Sequence, residues 1–373
     1  MAKRGVNLQS IEGSINAKSG VDSTKRGLYF TTGSTLLDLV VGGGDKAGYG
    51  MGYEAGTIVR DWGGSSSTKT FKAMEMIAAN YYRYKDRLKW KYADVEFGNT
   101  IDSMGLYGFE IIPTDKRDRE SVPTTVEEWE YDVSKFLDEL KPNECGIYVL
   151  DSLDSLSSKE LEDRKADRHA SFDKGKEYDV GSYNMSAAKF LSQEMFRGLS
   201  AKLAEKNALL YIISQERDNA NAGMYGKKNR LGGGRAVGFY ETARIYSKLK
   251  EKEERKGRAI GVLIETTAEK VRHPRPFRSC FIPINFTYGM DDVAANIDFL
   301  FNLRSNKTGE LLKSAKSIVW EDGKEPMSRE ELITFVEENK LKGELKRRVI
   351  ASWEEIEDSI TEVRPKKFGV EDE

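Results

Sequence analysis

The sequence predicts an α/β fold built on a mostly parallel central sheet. Short apolar runs of strand length alternate with segments of helical period, the pattern that puts helical crossovers on the faces of a parallel sheet. Two runs, "CGIYVLDSL" and "ALLYIISQ", are apolar almost throughout, as strands covered on both faces must be. The chain of 373 residues, with 39% hydrophobic and 32% charged residues, has ample material for a buried core and lacks the composition of a disordered chain.

The elements follow in order. Residues 1–28 are polar, lack helical periodicity and read as an arm. "TTGSTLLDLVVGGG" places Leu36, Leu37, Leu39, Val40 and Val41 in a short helix ended by glycines. The glycine-rich run that follows has no strand before it and no helix after it, so it reads as a loop and not a dinucleotide fingerprint. "GTIVRDW" is a strand, and "KTFKAMEMIAANYYRY" has apolar residues at helical spacing. "WKYADVEF" is a second strand, "VEEWEYDVSKFLDEL" an amphipathic helix, and "SAAKFLSQEMFRGLSAKLAEK" a long helix between the two buried strands. "ARIYSKLK", "IGVLIETTAEK" and "CFIPINF" are strand-rich and extend the sheet. We place the core at 29–295 and a small C-terminal α/β domain with a charged tail at 296–373.

Lys and Arg total 59 against 61 Asp and Glu, so the net charge of −2 names no partner, and a nucleic-acid surface would have to be a local patch. Cys145 and Cys280 stand far apart with no CxxC, which argues against a zinc site or disulfide framework and fits a reducing cytoplasm. No apolar window has the length of a membrane span, so no membrane partner is expected.

The stretch Gly63–Thr70, "GGSSSTKT", nearly matches the phosphate-loop pattern G-x-x-x-x-G-K-[ST], with Thr68 at the second glycine. Its position between a strand and a helix suits a loop whose N–H groups converge on an anion at a helix N-terminus. Lys69 would then meet the β and γ phosphates, and the Thr70 hydroxyl would ligate Mg²⁺. A serine-rich turn remains the alternative. "GIYVLD" puts Asp151 at the carboxyl end of a strand, where a carboxylate holds a magnesium shell. Glu96 and Gln215 fall at other strand ends, where ligands of open α/β sheets collect. Glu96 suits a general base, with a surface carboxylate or Asp94 as the other readings. Arg217–Arg235 holds Arg217, Lys227, Lys228, Arg230 and Arg235 against the single acid Asp218, with Tyr225 between glycines. Such a loop neutralises phosphates and stacks on bases, or is a solvated loop.

These stretches, with "YVLDSLDSLSSKELE", "IISQERDNANAGMYGKKNRLGGGRAVGFYETAR" and "EKVRHPRPF", occur in the order and approximate spacing of RecA-type recombinases. The resemblance runs from about residue 29 to the C-terminal domain, and the "EFG" turn is similar to that of phage members. It implies a RecA-like P-loop ATPase core that takes ATP and Mg²⁺. Gly63, Gly64, Ser65, Ser66, Ser67, Thr68, Lys69, Thr70, Phe71 and Asp151 would bind the nucleotide, with Thr70 and Asp151 on the metal. Glu96 would activate water, Gln215 would switch between nucleotide and DNA, and Lys270 and Arg272 would reach the neighbouring subunit's ATP. Residues 157–182 match a first DNA loop, and Arg217–Arg235 a second.

The resemblance further implies assembly on single-stranded DNA as a helical filament and pairing with homologous double-stranded DNA. Loader and single-strand-binding proteins would assist in the host cytoplasm. Three positions depart from the family: Thr68, Ser103 where an adenine-stacking aromatic is usual (Tyr107 being the nearest substitute), and an arm without an evident helix. A hexameric helicase-type motor is the rival enzyme, and a DNA-binding assembly protein with a weakened ATPase the other alternative.

Overall fold

A computed structural model describes residues 27–44, 50–113, 115, 122–173, 195–218, 229–231, 234–273, 275–321 and 323–362. Strands β1 (Tyr29–Phe30) and β2 (Tyr53–Glu54) pair as a small antiparallel sheet. Between them lies helix α1 (Thr35–Gly42), buried along its whole length. Ser34 caps it by accepting from the Leu37 N–H, and Gly43 ends it at φ 82, a conformation glycine adopts without strain.

The main sheet starts with β3 (Thr57–Gly63), followed by α2 (Lys69–Tyr84), β4 (Leu88–Asp94) and the short α3 (Ser103–Tyr107). Helix α4 (Val126–Glu139) is fixed at its start by a reciprocal cap between Thr125 and Glu128. It buries Val126, Trp129, Val133, Phe136 and Leu137, a single stripe at helical spacing. Next come β5 (Cys145–Asp151), buried at every position, α5 (Lys159–Asp173), α6 (Phe196–Glu205) and β6 (Ala208–Asp218). The chain continues through β7 (Asn229–Leu231), α7 (Gly234–Tyr240), β8 (Ala243–Arg255), β9 (Arg258–Lys270), β10 (Ser279–Asn285) and β11 (Gly289–Met290). It closes with α8 (Asp292–Leu300), α9 (Arg329–Glu338) and α10 (Lys342–Ile360).

The strand order is β11-β10-β9-β8-β3-β6-β5-β4, with β7 on the extension of β6. The five strands from β8 to β4 are parallel, as the βαβ alternation predicts. The later strands do extend the sheet, and β9 to β11 do so antiparallel. One consequence decides where the site lies: β3, β4, β5 and β6 all end at one edge. There Gly63 is level with Gln215, and Asp94 with Asp151.

Residue 296 falls inside α8, whose Ala295 and Ile297 share one apolar cluster with the sheet strands and with Trp320, Val336, Val349 and Trp353. Between α8 and α9 the described pairings are isolated bridges, Arg304 with Leu311 and Ile318 with Met327.

Candidate nucleotide-binding site

Gly63 ends β3 wedged between β6 and β8. A Cβ there would collide with the Ser247 carbonyl oxygen, so the position admits no side chain. The loop then turns, with the Ser67 N–H and Oγ both donating to the Gly64 carbonyl at 3.2 and 2.7 Å. Ser65 and Ser66 face outward.

Thr68 sits at φ 54, ψ 30, in the left-handed region that glycine occupies freely and a β-branched residue rarely enters. The phosphate-loop pattern puts glycine at this position, and the backbone keeps the glycine geometry although the residue has changed.

Lys69 opens α2. No side chain caps this 16-residue helix and no acid lies in its first turn, so its positive end is not neutralised from within. The Lys69 ammonium folds back onto its own loop, donating to the Gly63 and Gly64 carbonyls at 2.9 and 2.7 Å and to Ser67 Oγ at 3.1 Å. Burial pushes its pKa below the ordinary lysine range, opposed by the Asp61 carboxylate. Phe71, two residues on, packs with Phe286 at a ring separation of 6.5 Å.

At the second position of the helix, Thr70 Oγ1 donates to Asp151 Oδ2 at 2.8 Å, and the Tyr92 hydroxyl donates to the same oxygen at 2.7 Å. Burial raises the Asp151 carboxyl above the usual range, with the hydrogen bonds from Tyr92 and Thr70 opposing it. A hydroxyl and one carboxylate are hard oxygen donors and suit Mg²⁺, which takes few protein ligands and completes its shell with phosphate and water. Among the described residues no group of three or more His, Cys, Asp or Glu is placed to hold a metal, so phosphate oxygens would have to supply much of the coordination.

Beneath the loop lies a buried ion pair that the sequence did not reveal. Lys72 Nζ lies 2.6 Å from Asp61 Oδ2 and also donates to Ser247 Oγ, which in turn donates to Asp61 Oδ1 at 2.9 Å. The Tyr211 hydroxyl donates to Asp61 Oδ2 at 2.7 Å. This network ties α2 to β3, β6 and β8 and fixes the floor under Lys69.

At the neighbouring strand ends, Glu96 Oε1 accepts from Gln215 Nε2 at 2.7 Å, Ser152 Oγ at 2.5 Å and Ser155 Oγ at 3.0 Å. Glu96 and Gln215 are both exposed. Asp94 is buried and accepts from the Asn99 N–H at 3.1 Å, so it braces a turn. Ser103 is likewise committed to structure, its Oγ accepting from the Ile111 N–H at 2.9 Å. Tyr107 is half-buried, its carbonyl accepting from the Tyr82 hydroxyl at 2.6 Å.

Lys270 and Arg272 are not brought to this loop. Lys270 lies opposite Arg244, whereas Ser247, level with Gly63, lies opposite Thr266. Four residues of strand separate the two levels, about 13 Å, and in the direction away from the loop. There Lys270 Nζ donates to the Gly238 carbonyl at 2.7 Å and Arg272 Nη2 to the Phe239 carbonyl at 3.4 Å. Burial depresses the Lys270 pKa. Of the basic loop, Arg217 pairs with Asp154, its Nε 3.0 Å from Oδ1. Tyr225, Lys227 and Lys228 lie outside the described residues, and for Arg230 and Arg235 only the backbone is described. Of the first loop, residues 157–173 are described, and α5 is exposed at most positions from Lys159 to His169.

No family model matches the chain. Curated relatives do. A protein RecA of Malacoplasma penetrans is 27% identical over 310 residues, covering 83% of this chain and 82% of that one. A protein RecA of Halalkalibacterium halodurans is 24% identical over 380 residues, covering 96% of each. A protein RecA of Lactobacillus acidophilus is 25% identical over 311 residues, covering 78% and 74%. A solved structure of the RadB recombinase covers 70% of this chain and 99% of its own, at 14% identity and a TM-score of 0.42. Relatives of one name, aligned over most of both lengths, make the chain similar to the RecA-type recombinases and support its place among them.

Proposed function

We propose that the chain is an ATP-dependent homologous recombinase that assembles on single-stranded DNA and catalyses pairing and strand exchange with homologous duplex. The observation that carries this reading is the hydrogen bond between Gln215 Nε2 and Glu96 Oε1 at 2.7 Å. It joins the residue best placed to order an attacking water to the root of the basic loop, so the occupancy of one site can be felt at the other.

In this reading the Gly63–Thr70 loop and the N-terminus of α2 cradle the phosphates, and Lys69 leaves its loop carbonyls for the β and γ oxygens. Thr70 and Asp151 would hold Mg²⁺, which would supply charge neutralisation on those oxygens. Glu96 orients and deprotonates the attacking water. Lys270 and Arg272, too far from this chain's own loop, act on the ATP of the adjoining subunit in a filament, and so make hydrolysis depend on assembly. Arg217, Tyr225, Lys227, Lys228, Arg230 and Arg235 hold DNA. ATP binding favours assembly and hydrolysis releases the strand.

The test is Glu96→Gln. It should retain nucleotide and oligonucleotide binding, slow hydrolysis by about 10²-fold or more, and leave long-lived complexes on DNA. Unchanged turnover in this variant would remove Glu96 from the mechanism.

A further inference from the structure

Three residues beyond Asp151 the chain places a second aspartate, Asp154, in the short turn Leu153–Ser155. That turn brings Asp154 under the end of β6. Its Oδ2 accepts from the Gln215 N–H at 2.7 Å, its Oδ1 lies 3.0 Å from Arg217 Nε, and its carbonyl accepts from Arg217 Nη2 at 3.5 Å. The Asp154 side chain is 5% exposed and that of Arg217 47%. Behind them the buried Arg60 guanidinium donates from Nε to Ser214 Oγ at 2.9 Å, and the Asp154 carboxylate is among the charges that favour its protonated form. One buried carboxylate therefore grips the root of the basic loop at two points. The residue between those points, Gln215, is the one that donates to Glu96.

We infer that Asp154 is a positioning residue that latches Arg217 in an intramolecular ion pair, which a phosphate of the DNA strand must displace. The inference rests on the reading of Arg217 and Glu96 given above. A guanidinium pairs with carboxylate and phosphate through the same fork of N–H groups, so one partner can replace the other without repacking. Arg217 is exposed enough for a phosphate to approach, whereas Asp154 is too deeply placed to follow it out. With Arg217 taken over by DNA, the end of β6 loses one of its two ties to Asp154, and the Gln215 side chain is freed to release Glu96. The latch thus lowers the affinity for DNA and restrains hydrolysis in its absence.

The test compares Asp154→Asn with wild type. The amide keeps an oxygen for the Gln215 N–H and removes the charge. Binding to a fluorescent oligothymidylate is measured with an ATP analogue present, and ATP turnover is measured without DNA. The latch predicts oligothymidylate binding about 1.5- to fivefold tighter, the range for a half-exposed ion pair removed as a competitor. It also predicts a several-fold rise in DNA-free turnover. Arg217→Ala should lower affinity more in the Asp154→Asn background than in wild type, since only there is the arginine free beforehand.

Binding equal to or weaker than wild type, with the same Arg217→Ala loss in both backgrounds, overturns the latch and makes Asp154 a brace. Should Asp154→Asn fold poorly, Arg217→Ala alone decides: the latch predicts weaker DNA binding together with faster DNA-free turnover, and unchanged turnover overturns it. A wild-type protein that binds no oligothymidylate overturns the DNA reading and the latch together. Binding without an effect of Asp154 overturns the latch alone.

Discussion

Thr68→Gly isolates the most unusual feature of the phosphate loop. Thr68 is held at φ 54, ψ 30, where an L side chain with a Cβ meets the following carbonyl at a cost of about 1–2 kcal/mol. Glycine removes that cost but loses about 0.5–1 kcal/mol through the greater freedom of its unfolded chain. The bond from Thr68 Oγ1 to the Ser67 carbonyl, 2.8 Å, is half-exposed and weak in net terms. The substitution should therefore stabilise the protein by a net ~0.5–1 kcal/mol. With an unfolding entropy of about 2.1 cal/mol/K per residue over 373 residues, that is a rise of about 1 °C in Tm. Thr68→Ala is the control. It loses the same hydroxyl yet keeps a Cβ at positive φ, so it should show no gain. Calorimetry of the three proteins side by side resolves the difference, and nucleotide affinity should be kept or raised in Thr68→Gly. A glycine variant no more stable than the alanine variant would refute the argument from backbone strain.

Three further outcomes follow from the geometry. Replacing Lys270 and Arg272 with Ala should abolish hydrolysis while sparing nucleotide binding to the isolated subunit, and mixing this protein with Glu96→Gln should restore some turnover at hybrid interfaces; no rescue would place the whole site within one chain. Neutralising Lys227, Lys228 and Arg230 should weaken oligonucleotide binding alike across sequences and flatten its log–log salt dependence by roughly 0.7 for each phosphate no longer neutralised, and a titration with the wild-type slope would take DNA off this loop. Burial pushes the Glu75 carboxyl up from its ordinary 4.5 to about 7, so the folded state binds more protons than the unfolded one between those values, and stability falls as pH rises through that window. At 1.36 kcal/mol per pH unit the loss approaches about 3 kcal/mol above pH 7. Glu75→Gln, which keeps an acceptor for the Met290 N–H, should stabilise the protein at pH 8 and not at pH 4.5; equal effects at both would show that the carboxyl is not held neutral.

The parts of the fold legible in the sequence are those where burial alone sets the pattern. β5 and β6 are covered on both faces and read as continuous apolar runs, and α4 carries its capping residues beside its apolar stripe. β8 and β9 extend further than their apolar residues show. β8 runs on to Arg255 through exposed Lys and Glu positions, held there by backbone pairing to β9, which hydrophobic patterning does not register.

Within the site, the Thr70–Asp151 pair follows from a strand–loop–helix spacing, and the contact between Glu96 and Gln215 from four strands that end at one sheet edge. The ion pair of Lys72 with Asp61 was hidden because one partner reads as an ordinary helix lysine and the other as a strand-end acid. Asp154 left a fainter signal, a second aspartate in a serine-rich run directly after the strand, but its partners lie 61 and 63 residues further on. That Ser103 and Asp94 brace turns is a matter of local loop geometry, which no periodicity encodes.

The central claim, a DNA-dependent ATPase that assembles on single strands, is tested most directly by the ATP turnover of the wild-type protein with and without single-stranded DNA, with electron microscopy of the same samples and Lys69→Ala as the blank. The account predicts turnover that rises on adding DNA, falls to the blank in Lys69→Ala, and coincides with helical filaments. Turnover indifferent to DNA, or carried by closed rings, would contradict it.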